Sequence, residues 1–414
     1  MGRIPLDCDN EIVTLESRVI DWDYWLEGWE SATSVTPLGK SQIESSIARI
    51  ADLLGTDYLQ RCQQSPPHEL LSMEWVFNKT ADVACRILTF SAQIELLQKV
   101  KGWSKFQRDL RNDLGHFDHA MVQLEIAGFA LRDDWEVSLE PGTHGERSTD
   151  VSLKRGDEQM YVEVKGFRLD STTSHYMNAG LRLDEILFQV HLDYGTWTTS
   201  HLAGDVTKLN LSDVSDRLRA AAAHSVESQS DVLVDLGPEG ELIVRFEPPE
   251  GGVLHSYQIQ HADELGRVAA QVHEKAGQGR GVEPLWLRFN ESSEFWNLAT
   301  MHGKSVQVHE VIAERLVNEL KGFPHVAGVV LSAPPLFSTN SAPIENETVQ
   351  GQAWSFVNLQ YQHQYRESLI ARGPHSHFDD QLGYWMNWYR NESSWLAWAH
   401  QQLGLPDLEL IISP

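Results

Sequence analysis

Asp150, Glu163 and Lys165 lie close together in the stretch DVSLKRGDEQMYVEVK, residues 150–165. Alternation of apolar and polar residues predicts two short strands here. Val151 and Leu153 mark the first, and Tyr161, Glu163 and Lys165 share one face of the second. Val162 and Val164 take the opposite, inward face. Arg155-Gly156-Asp157 supplies the turn, because glycine accepts a positive φ. An aspartate opening one strand then sits beside a glutamate and a lysine projecting from its neighbour. Two carboxylates and an ammonium crowded on one small surface are costly unless they share a task. Holding a hard divalent cation suits their chemistry.

The elements upstream must position that pair. A helix is predicted over Phe117–Leu131, with the apolar stripe Phe117, Ala120, Met121, Leu124, Ala127, Gly128 and Leu131. Glu125 sits on the edge of that stripe. Asp133-Asp134 ends the helix, and Trp135–Leu139 alternates as a strand. The predicted order is therefore helix, strand, strand, strand.

With Glu125, Asp150 and Glu163-Val164-Lys165 in that order, the segment resembles the PD-(D/E)XK, or restriction-endonuclease-like, superfamily. Thr149 stands where the name-giving motif has proline, a position that varies in that superfamily. The resemblance implies an α/β core, a mixed central sheet flanked by helices. It also implies a Mg²⁺ (or Mn²⁺) ion held by Asp150, Glu163 and the backbone carbonyl of Val164, with Glu125 as an auxiliary ligand. The metal would activate a water, and Lys165 would orient or deprotonate that water and stabilise the developing charge. The implied reaction is phosphodiester hydrolysis in nucleic acid, DNA in preference to RNA. The same fold kept as a binding or assembly module without turnover is the alternative.

Composition sets bounds on this reading. The chain has 414 residues and a formal charge of -26, which opposes strong duplex binding by the chain alone. A bound metal, a local basic strip or a partner, whether a second copy or another protein, must offset it. Lys154, Arg155, Arg168, Lys208, Arg217 and Arg219 are the candidates for a local strip. Three cysteines (Cys8, Cys62, Cys85) form neither a zinc pattern nor an even disulfide set. No apolar run is long enough for a membrane span, and the N-terminus has no apolar signal-peptide core, so a cytoplasmic location is expected.

Three other patterns compete. Arg111-Asn112-Asp113-Leu114-Gly115-His116 resembles the Arg-polar-x-x-x-His motif of HEPN ribonucleases, which implies metal-independent cleavage by Arg111 and His116. His375-Ser376-His377-Phe378-Asp379-Asp380 has zinc-ligand spacing and resembles the metallo-β-lactamase motif, but too little chain follows it. Gln189-Val190 is similar to a RecB-like nuclease helix, with Tyr194 one place late.

Beyond the core, residues 1–115 are predicted as a helical region, residues 116–335 as the α/β core with its extension, and residues 336–414 as a Trp-rich helical part. Trp22, Tyr24, Trp25 and Trp29 are expected to pack in preference to stacking on bases. Within the extension, helices near 181–192 and 214–226 precede a strand pair, 231–236 and 241–246. Helix and strand then alternate through Leu285–Phe289 and Val326–Leu331.

Overall fold

A computed structural model describes the chain from Trp22 to Ile412, apart from residues 27, 30–31, 64–78, 114–115, 141–148, 167–170, 203, 250–254, 258–263, 280–282, 291–304, 333–335, 338–351, 362–363, 374–383 and 386–394. The chain forms two compact units. The first comprises residues 1–167 and 267–414, and the second is residues 168–266, set into the chain between two strands of the first.

Helices open the first unit: α1 (Trp22–Leu26), α2 (Pro37–Leu54), α3 (Tyr58–Gln63), α4 (Ala81–Leu97), α5 (Trp103–Asn112) and α6 (Phe117–Arg132). Their starts are chemically marked. Thr36 and Thr80 cap α2 and α4 by accepting from Gly39 N and Val83 N. Trp25 and Trp29 are buried in the core, as packing residues are.

The first unit's sheet is built on β1 (Glu136–Leu139), β2 (Val151–Arg155) and β3 (Glu158–Gly166), all antiparallel. Register pairs Val151 with Val162 and Arg155 with Glu158, which leaves a two-residue Gly156-Asp157 loop. Gly156 has φ +60°, the conformation that such a loop demands. After the second unit come α9 (Glu264–Gln278), β8 (Leu285–Asn290), α10 (Ser305–Leu320) and β9 (Val326–Ser332). β8 lies parallel to β3, and β9 parallel to β8. β10 (Leu336–Phe337), β11 (Ala353–Tyr361) and β12 (Gln364–Arg372) complete an eight-stranded mixed sheet in the order β1-β2-β3-β8-β9-β12-β10, with β11 beside β12.

The two faces of this sheet bury different helices. Val162, Val164, Trp286 and Val330 join one core with α2, α4, α6 and α11 (Trp395–Leu403). Tyr161, Glu163 and Lys165 stand in register with Leu285, Leu287 and Phe289 on the other face. Burial alternates to match: Met160, Val162 and Val164 are fully buried, whereas Tyr161, Glu163 and Lys165 are half-buried.

The second unit has its own four-stranded sheet, β5-β6-β4-β7, with β4 (Trp197–Leu202), β5 (Val232–Asp235), β6 (Gly240–Arg245) and β7 (His255–Tyr257). Two helices, α7 (Ser171–Tyr194) and α8 (Leu211–Ser228), pack on its core.

The expected α/β class with a mixed sheet flanked by helices is present. The C-terminal part differs from the expectation, because the antiparallel pair β11–β12 carries more of it than the helix α11 does. Trp395 does pack as expected, against Phe129 with ring centroids 6.3 Å apart. Gly128 allows this approach, since a Cβ there would lie 2.9 Å from the Trp395 ring. Among the described residues, no helix is long and apolar enough to cross a membrane.

Candidate functional site

Asp150 immediately precedes β2, where that strand meets β3. The ladder dictates how the edge is used. Tyr161 N–H donates to Pro284 O on the β8 side, so Val162 and Val164 turn their backbone groups toward β2. β2 begins at Val151, opposite Val162. The N–H of Val164 therefore meets the Asp150 side chain in place of a strand, donating to Oδ2 at 2.6 Å. The carbonyl of Val164 points to the same edge, beside Asp150.

The second carboxylate oxygen of Asp150 faces α6. His119 Nε2 lies 3.2 Å from Oδ1, within ion-pair distance, though its ring is not aligned as a hydrogen bond. His119 in turn packs against His116, ring centroids 4.7 Å apart. Burial and the neighbouring His119 push the His116 imidazole below its ordinary value.

Glu163 projects from the other face of β3, where Lys275 of α9 donates to its Oε1 at 2.5 Å. Both side chains are mostly covered, Glu163 at 17% and Lys275 at 18% exposure. Lys165, two residues along, forms no ion pair with a described residue.

The two carboxyls are pushed in opposite directions. Burial raises Asp150, but the His119 contact, the Val164 N–H and the charge of Lys275 outweigh it and hold the group below the usual carboxylate range. Burial and the charge of Asp150 raise Glu163, against the opposing pull of Lys275. Glu163 thus senses Asp150, and both carboxylates sense the Lys275 ammonium.

The direction for Glu163 has a stability consequence. A carboxyl whose folded-state pKa is raised contributes stability that is complete below its unfolded pKa and is lost as pH rises through the folded one. Glu163→Gln, which keeps the shape without the charge, is therefore expected to raise the melting midpoint at about pH 8. The two proteins are expected to converge at about pH 3, where Glu163 is protonated folded or unfolded. Calorimetric melting across pH checks this.

Glu125 stands elsewhere. Arg288 Nη2 lies 3.6 Å from its Oε2. Arg288 pairs in register with Val164, so this ion pair belongs to the face of the sheet opposite Glu163. Arg288 is fully buried, donating to Phe289 O at 2.5 Å and to the Ser332 hydroxyl. The structure therefore sets the Asp150 carboxylate and the Val164 carbonyl at the edge of β3, one residue from Glu163, and places Glu125 with Arg288.

The competing motifs fall as follows. Arg111 donates to the carbonyls of Asp52 and Leu53, where it closes the C-terminus of α2. Gln189 donates to Asp193 one turn along α7, and Val190 is buried. His375 to Asp380 lie outside the described residues. Of the basic side chains read as a strip, Arg155, Lys208, Arg217 and Arg219 are each paired with an acid: Glu158, Asp205, Asp213 and Asp193.

Two members of the site were missed from sequence. His119 lies on the predicted helix but off its apolar stripe. Lys275 follows Glu163 by 112 residues, beyond the whole second unit, and no spacing rule spans that.

Among the described residues, no three His, Cys, Asp or Glu side chains are grouped as a metal's ligands. The donors that are present, two carboxylates and a backbone carbonyl, are hard oxygens. They fit Mg²⁺, which binds through one or two carboxylates and keeps several of its waters. No protein-family model, curated protein or solved structure matches this chain.

Proposed function

We propose that this chain is a Mg²⁺-dependent nuclease of the PD-(D/E)XK kind, hydrolysing phosphodiester bonds in DNA or, second, RNA. One observation carries the reading. The Asp150 carboxylate, just ahead of β2, accepts the N–H of Val164 at 2.6 Å and so stands at the edge of β3, one residue from Glu163. The order of elements supports it: a helix, three antiparallel strands and, beyond the inserted second unit, a helix and a strand parallel to the third.

Asp150, Glu163 and the Val164 carbonyl would hold the metal. When bound, Mg²⁺ supplies a Lewis acid for a phosphate oxygen and acidifies a water. The Val164 N–H fixes the Asp150 carboxylate in place, and His119 restrains its other oxygen. The face that carries Glu163 and Lys165 would receive the phosphate. Glu125, paired with Arg288, supports the sheet behind the site.

A second reading keeps the fold as a binding or assembly module without turnover. The charge of -26 and the acid partners of the basic side chains favour it. The ribonuclease reading is weaker, because Arg111 is committed to helix carbonyls.

Incubation with single- and double-stranded DNA and RNA separates these readings. Cleavage that needs Mg²⁺ or Mn²⁺ and stops with EDTA is expected. Absence of product with every ion and substrate favours the module. Cleavage that survives EDTA and disappears in His116→Ala points to the ribonuclease.

A further inference from the structure

We infer that Lys275, in place of Lys165, is the ammonium that serves the two carboxylates of this site, and that it competes with the divalent cation for Glu163. This rests on the proposed nuclease reading and assigns it a residue that no local motif contains.

The geometry separates the two lysines. Lys275 Nζ is 2.5 Å from Glu163 Oε1, and its charge also stabilises the Asp150 carboxylate. Lys165 forms no ion pair with a described residue, although it shares Glu163's face of β3. Exposure matters too. Lys275 and Glu163 are both mostly covered, so their attraction is screened less than that of a surface pair.

Position in the chain gives the same answer. Lys275 lies in the last turn of α9, the helix that leads into β8. Near a helix C-terminus the dipole favours a cation. Three turns of amphipathic helix anchor it: Val268, Ala269, Val272 and Ala276 are buried. The His325 ring lies 2.9 Å from Ala276 O, so the residue after Lys275 is held as well. The ammonium is thereby delivered to Glu163 by a packed element, whereas Lys165 lies at the end of β3, one residue before that strand stops.

When both carboxylates are ionised they carry two negative charges, and Lys275 supplies one compensating positive charge without a metal. A divalent cation on the same Glu163 carboxylate is repelled by the ammonium held at Oε1 and favours its release. Once released, the ammonium sits beside the metal site, where a phosphate oxygen would be its next partner. The same side chain therefore weakens metal binding and strengthens substrate binding.

The test is calorimetric titration of the full chain with Mn²⁺, comparing wild type, Lys275→Met and Lys165→Met, followed by cleavage assays on the same proteins. Lys275→Met is expected to bind Mn²⁺ about tenfold more tightly than wild type, because the competing charge is gone. Lys165→Met is expected to match wild type in metal affinity. In cleavage Lys275→Met is expected to fall by at least a hundredfold at saturating Mn²⁺, and Lys275→Arg to recover part of the loss.

Lys275→Met affinity equal to wild type, with cleavage lost only in Lys165→Met, overturns the assignment and leaves the nuclease reading intact. No Mn²⁺ binding by any of the proteins, with no cleavage, removes the nuclease reading and the assignment with it. Should Lys275→Met fold poorly by circular dichroism, Lys275→Gln takes its place, since its amide retains a hydrogen bond to Glu163 without the charge.

Discussion

Asp150→Asn is expected to abolish cleavage and leave the chain folded. The structural part of this follows from how the side chain is held. The Val164 N–H donates to Oδ2 at 2.6 Å, and the amide oxygen of asparagine accepts the same bond. Asp150→Ala would instead leave that N–H without its acceptor, at a cost of about 1–3 kcal/mol. Asparagine is therefore the cleaner probe. What it removes is the negative charge, and with it one of the two carboxylates proposed to hold the metal. Asp150 is held ionised by its surroundings, whereas Glu163 is pushed toward its neutral form. Loss of the metal's contribution, about 4 kcal/mol of transition-state stabilisation, corresponds to a rate about a thousandfold lower. Steady-state cleavage of a labelled duplex checks it. A variant retaining more than about a tenth of wild-type rate contradicts the role given to Asp150.

The second large effect concerns stability. Arg288 is fully buried and lies 3.6 Å from Glu125, with further bonds to Phe289 O and the Ser332 hydroxyl. It stands on β8 beneath α6, the helix that also carries His119 toward Asp150. Arg288→Met deletes the cation and leaves the Glu125 carboxylate covered without it. Breaking a buried ion pair in this way costs about 3–5 kcal/mol. The double variant Arg288→Met, Glu125→Leu is expected to recover most of the loss, because two well-packed apolar groups replace a desolvated pair. Urea denaturation of the single and double variants measures both. A single variant within about 1 kcal/mol of wild type would show that the pair is not a structural support. Glu125 would then be available for another role, including the auxiliary metal contact that the resemblance implies.

These two effects also explain how much of the molecule was legible in its sequence. The hairpin of β2 and β3 was legible to within a residue, because period-two alternation and a glycine turn act locally; Arg155, read as part of the turn, instead pairs with Glu158. The helix before it, and the pairing of helix with strand near β8 and β9, followed from apolar periodicity. Charged contacts were not legible. Glu125 on the edge of an apolar stripe looks the same whether it faces a metal or an arginine, and Arg288 sits in a different part of the chain. Arg111 shows the same limit. Its spacing to His116 suggests chemistry, but its guanidinium closes the end of α2.

The second unit hid in another way. Its helices and its strand pair follow the same periodicities as the first unit's, and periodicity does not say which sheet a strand joins. Ser171 to Ser174 form the first turn of α7, although serine and threonine are poor helix formers. The apolar stripe that follows, with Leu183, Leu187 and Val190 buried, rewards extending the helix backward despite poor formers at its start. In the C-terminal part, the Ala353–Tyr361 strand has tryptophan and phenylalanine on one phase and valine and leucine on the other. Without alternation of apolar and polar residues, the period-two signal of a strand is absent.

The central claim is that Asp150 and Glu163 together hold a divalent cation. Calorimetric titration with Mn²⁺ of wild type, Asp150→Asn and Glu163→Gln tests it most directly. Saturable binding is expected in wild type and in neither variant, with all three proteins melting cooperatively. Saturable binding that persists unchanged in both variants would contradict it.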